Sequence, residues 1–184
     1  AAAKDTEGEM LFYQSKVCEG VFHRISSGTT RDGLEVFGKM EKGYLLSVDS
    51  NWDMYGDGYL SGHYFSEGAL REQLEKAYPG LVFTEEPVEN QINMYKRDKV
   101  GHILSLTVGN KTISGEEFRQ LLELPSSNFT MQAADGKIRF LCKGQGHGLG
   151  LSQYGGNVLA KEGKSYKEIL RYYFPECGVQ KKAS

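Results

Sequence analysis

Gly144-Gln145-Gly146-His147-Gly148-Leu149-Gly150-Leu151-Ser152-Gln153-Tyr154-Gly155 is the stretch from which the rest of the chain can be read. Four glycines alternate with Gln145, His147 and Leu149. Residues 137–142 before them have the alternation of a strand, and residues 151–161 after them have the spacing of a helix. A glycine at every second position lets the backbone take positive φ and leaves little side chain to obstruct a ligand. A loop that opens a helix also points free N–H groups at whatever sits there. His147 lies between two residues without side chains, so an accessible imidazole is expected. Gln145, Ser152, Gln153 and Tyr154 supply neutral hydrogen-bonding groups of the kind that suit sugar hydroxyls and acetamides.

Three other readings of this loop compete. A phosphate cradle needs a Lys-Ser/Thr pair after the glycines or dinucleotide-binding spacing, and neither is present. A tight turn with a structural histidine remains open. A zinc site could use Cys142 and His147 with His23 as a third ligand, but it lacks a clear set of three or four donors.

Working outward, 128–133 and 137–142 form a hairpin on Asp135-Gly136, a strong turn signal. Ser165-Tyr166-Lys167-Glu168 is a capping box that opens a last helix, which Pro175 ends. Ser114-Gly115-Glu116-Glu117 is another, for a helix running to Leu124. Ser66 caps a helix over 67–78, stopped by Pro79-Gly80. Strands are expected at 10–14 and 17–25, joined at Ser15-Lys16, and at 44–48, 92–96, 102–108 and 111–113. Residues 51–58 read as an Asp- and Gly-rich loop carrying the only tryptophan, Trp52. Strands and helices mix without βαβ regularity. The expected class is therefore α+β, with a mixed, largely antiparallel sheet and a few short helices.

The chain has 184 residues, 39% hydrophobic and 25% charged, with a formal net charge of -2. That suits one domain, 1–184, and gives no global attraction to nucleic acid. No apolar run is long enough to span a bilayer. Cys18, Cys142 and Cys177 follow no CxxC spacing and are odd in number, so at least one thiol is expected to be free or paired outside the chain. They read first as small buried hydrophobes.

A second polar cluster, His23, Ser26, Ser27, Thr29 and Thr30, lies where the strand at 17–25 breaks. If it lines one groove with the His147 loop, the two imidazoles should lie within about two hydrogen-bond lengths plus a sugar of each other. Local capping and turn bonding are the alternative for the hydroxyls, and a satisfied core position is the alternative for His23. Asp49 and Asp53 are the nearest carboxylates, expected to cap turns before they orient sugars. Trp52 and Tyr55 could stack on a sugar face or anchor packing. Tyr172, Tyr173 and Phe174 read as helix packing.

The run from Phe140 to Pro175, FLCKGQGHGLGLSQYGGNVLAKEGKSYKEILRYYFP, resembles the signature end of the stage II sporulation protein D family: a GxGHGxGxSQxGA-like loop, an AKEGK-like helix end and a YxxILxxYY-like helix. Gly156 stands where alanine is usual. Thr6-Glu7-Gly8-Glu9-Met10-Leu11, the segment from Phe22 to Thr30 and Tyr44-Leu45-Leu46-Ser47-Val48 resemble further blocks of that family in the same order. Residues 57–130 match more loosely, as an insertion lobe would. The resemblance implies a protein of the cell wall. Such a protein would bind peptidoglycan glycan strands and cleave them as a lytic transglycosylase, or it would act as a non-catalytic glycan-binding module or modifier of wall amidases. It implies other wall hydrolases or engulfment proteins as partners. It also implies an extracytoplasmic, wall-facing location, with a membrane anchor supplied from outside these residues.

Glycan cleavage of this kind needs a general acid at the glycosidic oxygen. The family's glutamate lies in a GVVxxEMP-like segment followed by an ALKAQAxAARTY-like helix, and neither occurs here. Glu9-Met10 repeats only two letters of that motif, within a strand, so no catalytic role is transferred to Glu9. The opening AAAKDTEG reads as a cut chain, and the 184 residues alone are expected to be inactive.

Overall fold

The computed structural model describes residues 6–181; residues 1–5, most of the AAAKDTEG opening, and residues 182–184 lie outside it. The architecture is α+β, with mostly antiparallel sheets. Two hydrophobic cores organise it, an inner one built from a continuous stretch of chain and an outer one built from both ends.

The inner lobe, residues 60–143, contains two three-stranded sheets. In the first, β4 (Leu60–Ser66) and β8 (Phe129–Ala134) flank β9 (Lys137–Lys143), all antiparallel. The expected β8–β9 hairpin turns on Asp135 and Gly136, both at positive φ (53° and 70°), the backbone handedness that matches strand twist. In the second sheet, β6 (Ile103–Val108) lies between β5 (Ile92–Arg97) and β7 (Lys111–Ser114). Ser66 accepts the Ala69 N–H to start α2 (Glu67–Ala77).

Ser114 likewise accepts the Glu117 N–H to start α3 (Gly115–Leu121). The capping box expected there is only half made, because the Glu117 side chain bonds the Tyr78 hydroxyl instead. Burial, reinforced by the Glu117 charge, pushes the Tyr78 phenol up to about 12. The helix also stops short of Leu124. Glu123 turns left-handed at φ 53°, and the Leu124 N–H folds back to the Arg119 carbonyl. Phe118, Phe129 and Phe140 meet in the core with ring centroids 5.4 to 5.8 Å apart, each pair contributing about 1 kcal/mol beyond area burial.

The outer lobe begins with β1 (Glu9–Tyr13) and β2 (Lys16–Cys18). Their turn falls at Gln14-Ser15, one residue earlier than expected. β2 does not continue to residue 25. At Gly20 a Cβ would come within 3.2 Å of Leu11 Cδ1, and the chain leaves the sheet there. It resumes as β3 (Phe22–His23), paired in parallel with β10 (Leu151–Ser152). Asp32 caps an unexpected helix, α1 (Gly33–Phe37), by accepting the Glu35 N–H.

Residues 44–48 are not a strand. Thr30 satisfies them instead: its hydroxyl donates to the Leu46 carbonyl and accepts the Val48 N–H, while its carbonyl accepts from Ser47. The stretch 51–58 is a loop only in its second half, since Asn51–Tyr55 forms a 3-10 turn.

The expected helix at 151–161 starts at Gln153, as α4 (Gln153–Lys161), because Leu151 and Ser152 belong to β10. A complete Ser165–Glu168 capping box opens α5 (Tyr166–Tyr173). The chain returns as β11 (Gly178–Lys181), antiparallel to β1, so the first and last described strands are neighbours.

Candidate functional site

The glycine-rich loop is threaded between the two lobes, and its glycines answer first to close packing of backbone. Gly146 sits at φ +106°, where an added Cβ would lie 2.8 Å from the His23 Cβ; Gly150 sits at φ +68°, where the Val21 carbonyl would meet an added Cβ even more closely. L-residues rarely take such φ values, and here there is no room for one. The loop's N–H groups are spent inside the protein. Gly144 donates to the Tyr59 carbonyl, Gln145 to Ile25, Gly146 to Pro125 and Leu151 to Val21. At the start of α4, Tyr154 donates to the Arg24 carbonyl and Gly155 to the Ser152 hydroxyl. The expectation of N–H groups free for a ligand is therefore corrected at Gly144, Gln145, Gly146, Leu149, Leu151, Tyr154 and Gly155, whose N–H groups are used within the protein.

Three histidines gather around this loop. The His23 and His147 rings stand edge to face with centroids 5.8 Å apart, well inside the expected limit. His23 is only 4% exposed and donates from Nδ1 to the Leu149 carbonyl, leaving Nε2 buried without a partner. Burial lowers its pKa to about 4, so it is a neutral core group at physiological pH. His147 is half-buried. Its Nδ1 accepts the Leu149 N–H and its ring also bonds the Phe22 carbonyl; burial lowers its pKa too.

His102 carries no signal of a site in the sequence. It packs against Gly148, with Nδ1 on the Ser127 hydroxyl and a second unpartnered Nε2. Burial, helped by the Arg31 charge, holds its pKa well below the usual histidine value.

Arg31 joins the lobes. Its Nε donates to Asp98 Oδ2 at 2.6 Å, its terminal nitrogen to the His147 carbonyl at 3.1 Å, and its N–H to the Gly148 carbonyl at 2.8 Å. Asp98 also accepts the His102 N–H. The pair is almost fully buried. Nothing in the sequence marks two residues 67 positions apart as partners.

The hydroxyls of the second cluster are mostly structural. Asp53, buried at 0% exposure, accepts the Ser26 N–H at 2.7 Å and the Ser152 hydroxyl at 2.8 Å. Ser152 is fully buried and also caps α4. The Ser26 hydroxyl accepts the Gly28 N–H, and Thr30 braces residues 46–48. Thr29 reaches Asp49 at 3.5 Å, and the Ser27 hydroxyl is buried without a partner. Asp53, expected to cap a turn, instead uses its carboxylate to join segments 27 and 99 positions away. Trp52 packs against Tyr172, centroids 5.8 Å apart, while Tyr55 is 81% exposed.

The residues that do face solvent divide between two hollows. One, of 340 Å³, lies between the lobes and is walled by Val21, Val36, Phe37, Leu45 and Ile103, with His147, Arg31 and Glu116 adding polar atoms. Burial pushes the Glu116 carboxyl up, but the Arg119 guanidinium, within 2.6 Å, overcomes it and holds the group below the ordinary carboxylate range. The other hollow, of 360 Å³, is polar: Arg24, Asp57, Gln153, Tyr154 and Asn157 line it with Ile25. Gln145 borders neither, because its amide donates to the Gly58 carbonyl. The two polar clusters expected from the sequence are therefore drawn together around the glycine loop, but only the loop's own members reach a hollow, His147 one and Gln153 and Tyr154 the other; none of His23, Ser26, Ser27, Thr29 and Thr30 lines either.

Cys142 lies in the inner core, and among the described residues no group of three His, Cys, Asp or Glu side chains is placed to hold a metal ion. No described helix is long and apolar enough to cross a membrane. Glu9 bonds the Tyr166 hydroxyl at 2.5 Å and Lys167 at 2.9 Å, and these contacts lower its pKa, the opposite of a proton donor's needs.

No family model matches the chain. It is 30% identical over 174 residues to stage II sporulation protein D of Bacillus amyloliquefaciens, covering 94% of this chain and 48% of that protein. It is 29% identical to the Bacillus subtilis protein of the same name, over the same shares. A shorter match, 42% identical over 50 residues, links 27% of the chain to 7% of the amidase enhancer of Bacillus subtilis. The chain spans about half the length of the stage II sporulation protein D relatives it matches. The resemblance carried by the His147 loop and its flanking blocks is borne out: over 94% of its length the chain is a homologue of stage II sporulation protein D.

Proposed function

We propose that the chain is the substrate-side part of a cell-wall protein that holds peptidoglycan glycan strands during sporulation or wall remodelling. The observation that carries this reading is the polar hollow beside α4. Its amides on Gln153 and Asn157, charged groups on Arg24 and Asp57, and the Tyr154 ring combine hydrogen bonding with a stacking face, the combination that sugar rings with acetamide groups require. Homology to stage II sporulation protein D supports a wall-related role, and we place the protein on the extracytoplasmic side, facing the wall.

In the intact protein the reaction we propose is lytic transglycosylation. An acid protonates the glycosidic oxygen, and the sugar's own C6 hydroxyl closes an anhydro ring. Glu116, beside His147, is held ionised by Arg119 and does not fit that acid. We place the acid outside these residues, because the family's GVVxxEMP-like segment has no counterpart in the sequence. The match to the amidase enhancer favours one second reading, in which the same surface serves a wall amidase partner.

Co-sedimentation with glycan stripped of stem peptides tests the first reading. The chain should pellet with it, and Tyr154→Ala should weaken binding by about tenfold, roughly 1.4 kcal/mol. Absence of binding by the unaltered chain would remove the proposal. Release of anhydro products by the isolated chain would place the acid within it after all.

A further inference from the structure

We propose that Cys18 and Cys177 are a disulfide-forming pair that staples the two ends of the outer lobe under oxidising conditions. Their sulfurs lie 3.6 Å apart although 159 positions separate them in sequence. Cys18 ends β2 and Cys177 immediately precedes β11, so the two thiols approach from the strands on either side of β1. A disulfide needs about 2.05 Å between sulfurs, so the two sulfurs must close by about 1.5 Å. Cys142, the third cysteine, is enclosed by the inner core and takes no part.

Access is built in on one side. Cys18 is half-buried and lines an open hollow of 390 Å³ with Thr6, Met10, Val17 and Val179, whereas Cys177 does not reach it. A small-molecule disulfide such as oxidised glutathione supplies the oxidising equivalents. The Cys18 thiolate attacks one of its sulfurs and expels one small thiolate. The Cys177 thiolate then attacks the Cys18 sulfur of the mixed disulfide and expels the second. One disulfide is consumed and one formed, and the two protons leave on the two released thiols. Burial raises both thiol pKa values, Cys177 to about 12. The exchange should therefore be slow at neutral pH and faster in mild alkali.

The pair would join covalently two segments that already meet through the short β1 ladders and the outer core. A cross-link closing so long a loop constrains the unfolded chain strongly. Such a bond persists in the oxidising compartments where secreted proteins work.

The test is to incubate the full chain with oxidised glutathione, denature it and alkylate it with N-ethylmaleimide. One adduct, on Cys142, is expected in place of three, with the mass lower by two hydrogens. A peptide linking Cys18 to Cys177 should appear on digestion. Cys18→Ser and Cys177→Ser should each fail to lose the two hydrogens. The oxidised protein should melt roughly 10 °C higher than the reduced one, a gain reversed by reductant and absent in Cys177→Ser. Three adducts, glutathione retained on Cys18 or a bridge through Cys142 would overturn the pairing. A bridge that leaves the melting temperature unmoved would overturn the stapling role.

Discussion

The inner lobe closes its core within one continuous stretch of chain, through the β8–β9 hairpin on a two-residue turn, the β5–β6–β7 meander and the return of β9 onto β4. The outer lobe does the reverse. Leu11 and Tyr44 pack with Leu159, Tyr173 and Phe174, and Glu9 pairs with Lys181. Side-chain bonds compensate for the scarcity of regular pairing there. Asp53 bonds both Ser26 and Ser152, the latter 99 positions further on, and Ser50 meets the Tyr173 hydroxyl at 2.8 Å. The polar residues that suggest a binding site are in large part this stitching. A buried hydroxyl in a small-residue loop is thus a poor guide to ligand contact where a lobe must be assembled from distant segments.

The boundary between the lobes offers the largest test of that contrast. Arg31→Ala leaves Asp98 buried and unpaired and frees the His147 carbonyl, with an expected loss of about 3–5 kcal/mol. Urea denaturation followed at both lobes should show the two transitions separating. A loss below about 1 kcal/mol would mean that the lobes are held together by other contacts.

A mid-sized effect should come from acid. His23 and His102 are buried as neutral rings, and their folded pKa values lie below the ordinary histidine value, His23 at about 4. The unfolded chain therefore binds more protons in this range. Stability is fully present above about pH 6.5 and falls as the pH drops toward the folded values, by up to about 1.4 kcal/mol per pH unit for each ring. Measuring urea midpoints between about pH 6.5 and 5 keeps the titration above that of carboxylates. His102→Gln should flatten the slope, and a level profile in the unaltered chain would contradict the burial of these rings.

The smallest effect compares one helix cap from each lobe. Ser165→Ala breaks a complete capping box and Ser114→Ala a one-sided cap. Each should cost about 1 kcal/mol, with the former larger. Equal losses in thermal melts would show that the extra bond from the Ser165 hydroxyl to the Glu168 carboxylate adds nothing.

Local chemistry is legible in the sequence. Asp135-Gly136 marks its hairpin, Ser66 and Ser165 mark their helix starts, and the glycine loop falls where expected, between a strand and a helix. Asp32 and Glu35 carry a capping spacing that could have revealed α1. β4 is hidden because Ser61, Gly62 and His63 blur its alternation, and its inward positions are only half-buried. The apolar run at 44–48 has strand composition, yet its partners are the Thr30 side chain and scattered backbone groups of Thr30, Gly33 and Lys42, which no periodicity can show. At the site, the approach of His23 to His147 follows from reading their loops together. Arg31, Asp98 and His102 do not emerge, since pairing over such separations leaves no local mark.

The adjacency of β1 and β11 also sets a timetable for a chain that emerges from its N-terminal end. Everything the inner lobe requires is present once residue 143 has appeared. β1 must wait for residues 178–181 before its second edge is covered. Until then the Glu9–Tyr13 strand presents unpaired backbone on that side, the form in which strands recruit the wrong neighbour. The nascent outer lobe is thus the part of the molecule most dependent on being finished quickly or sheltered while it waits.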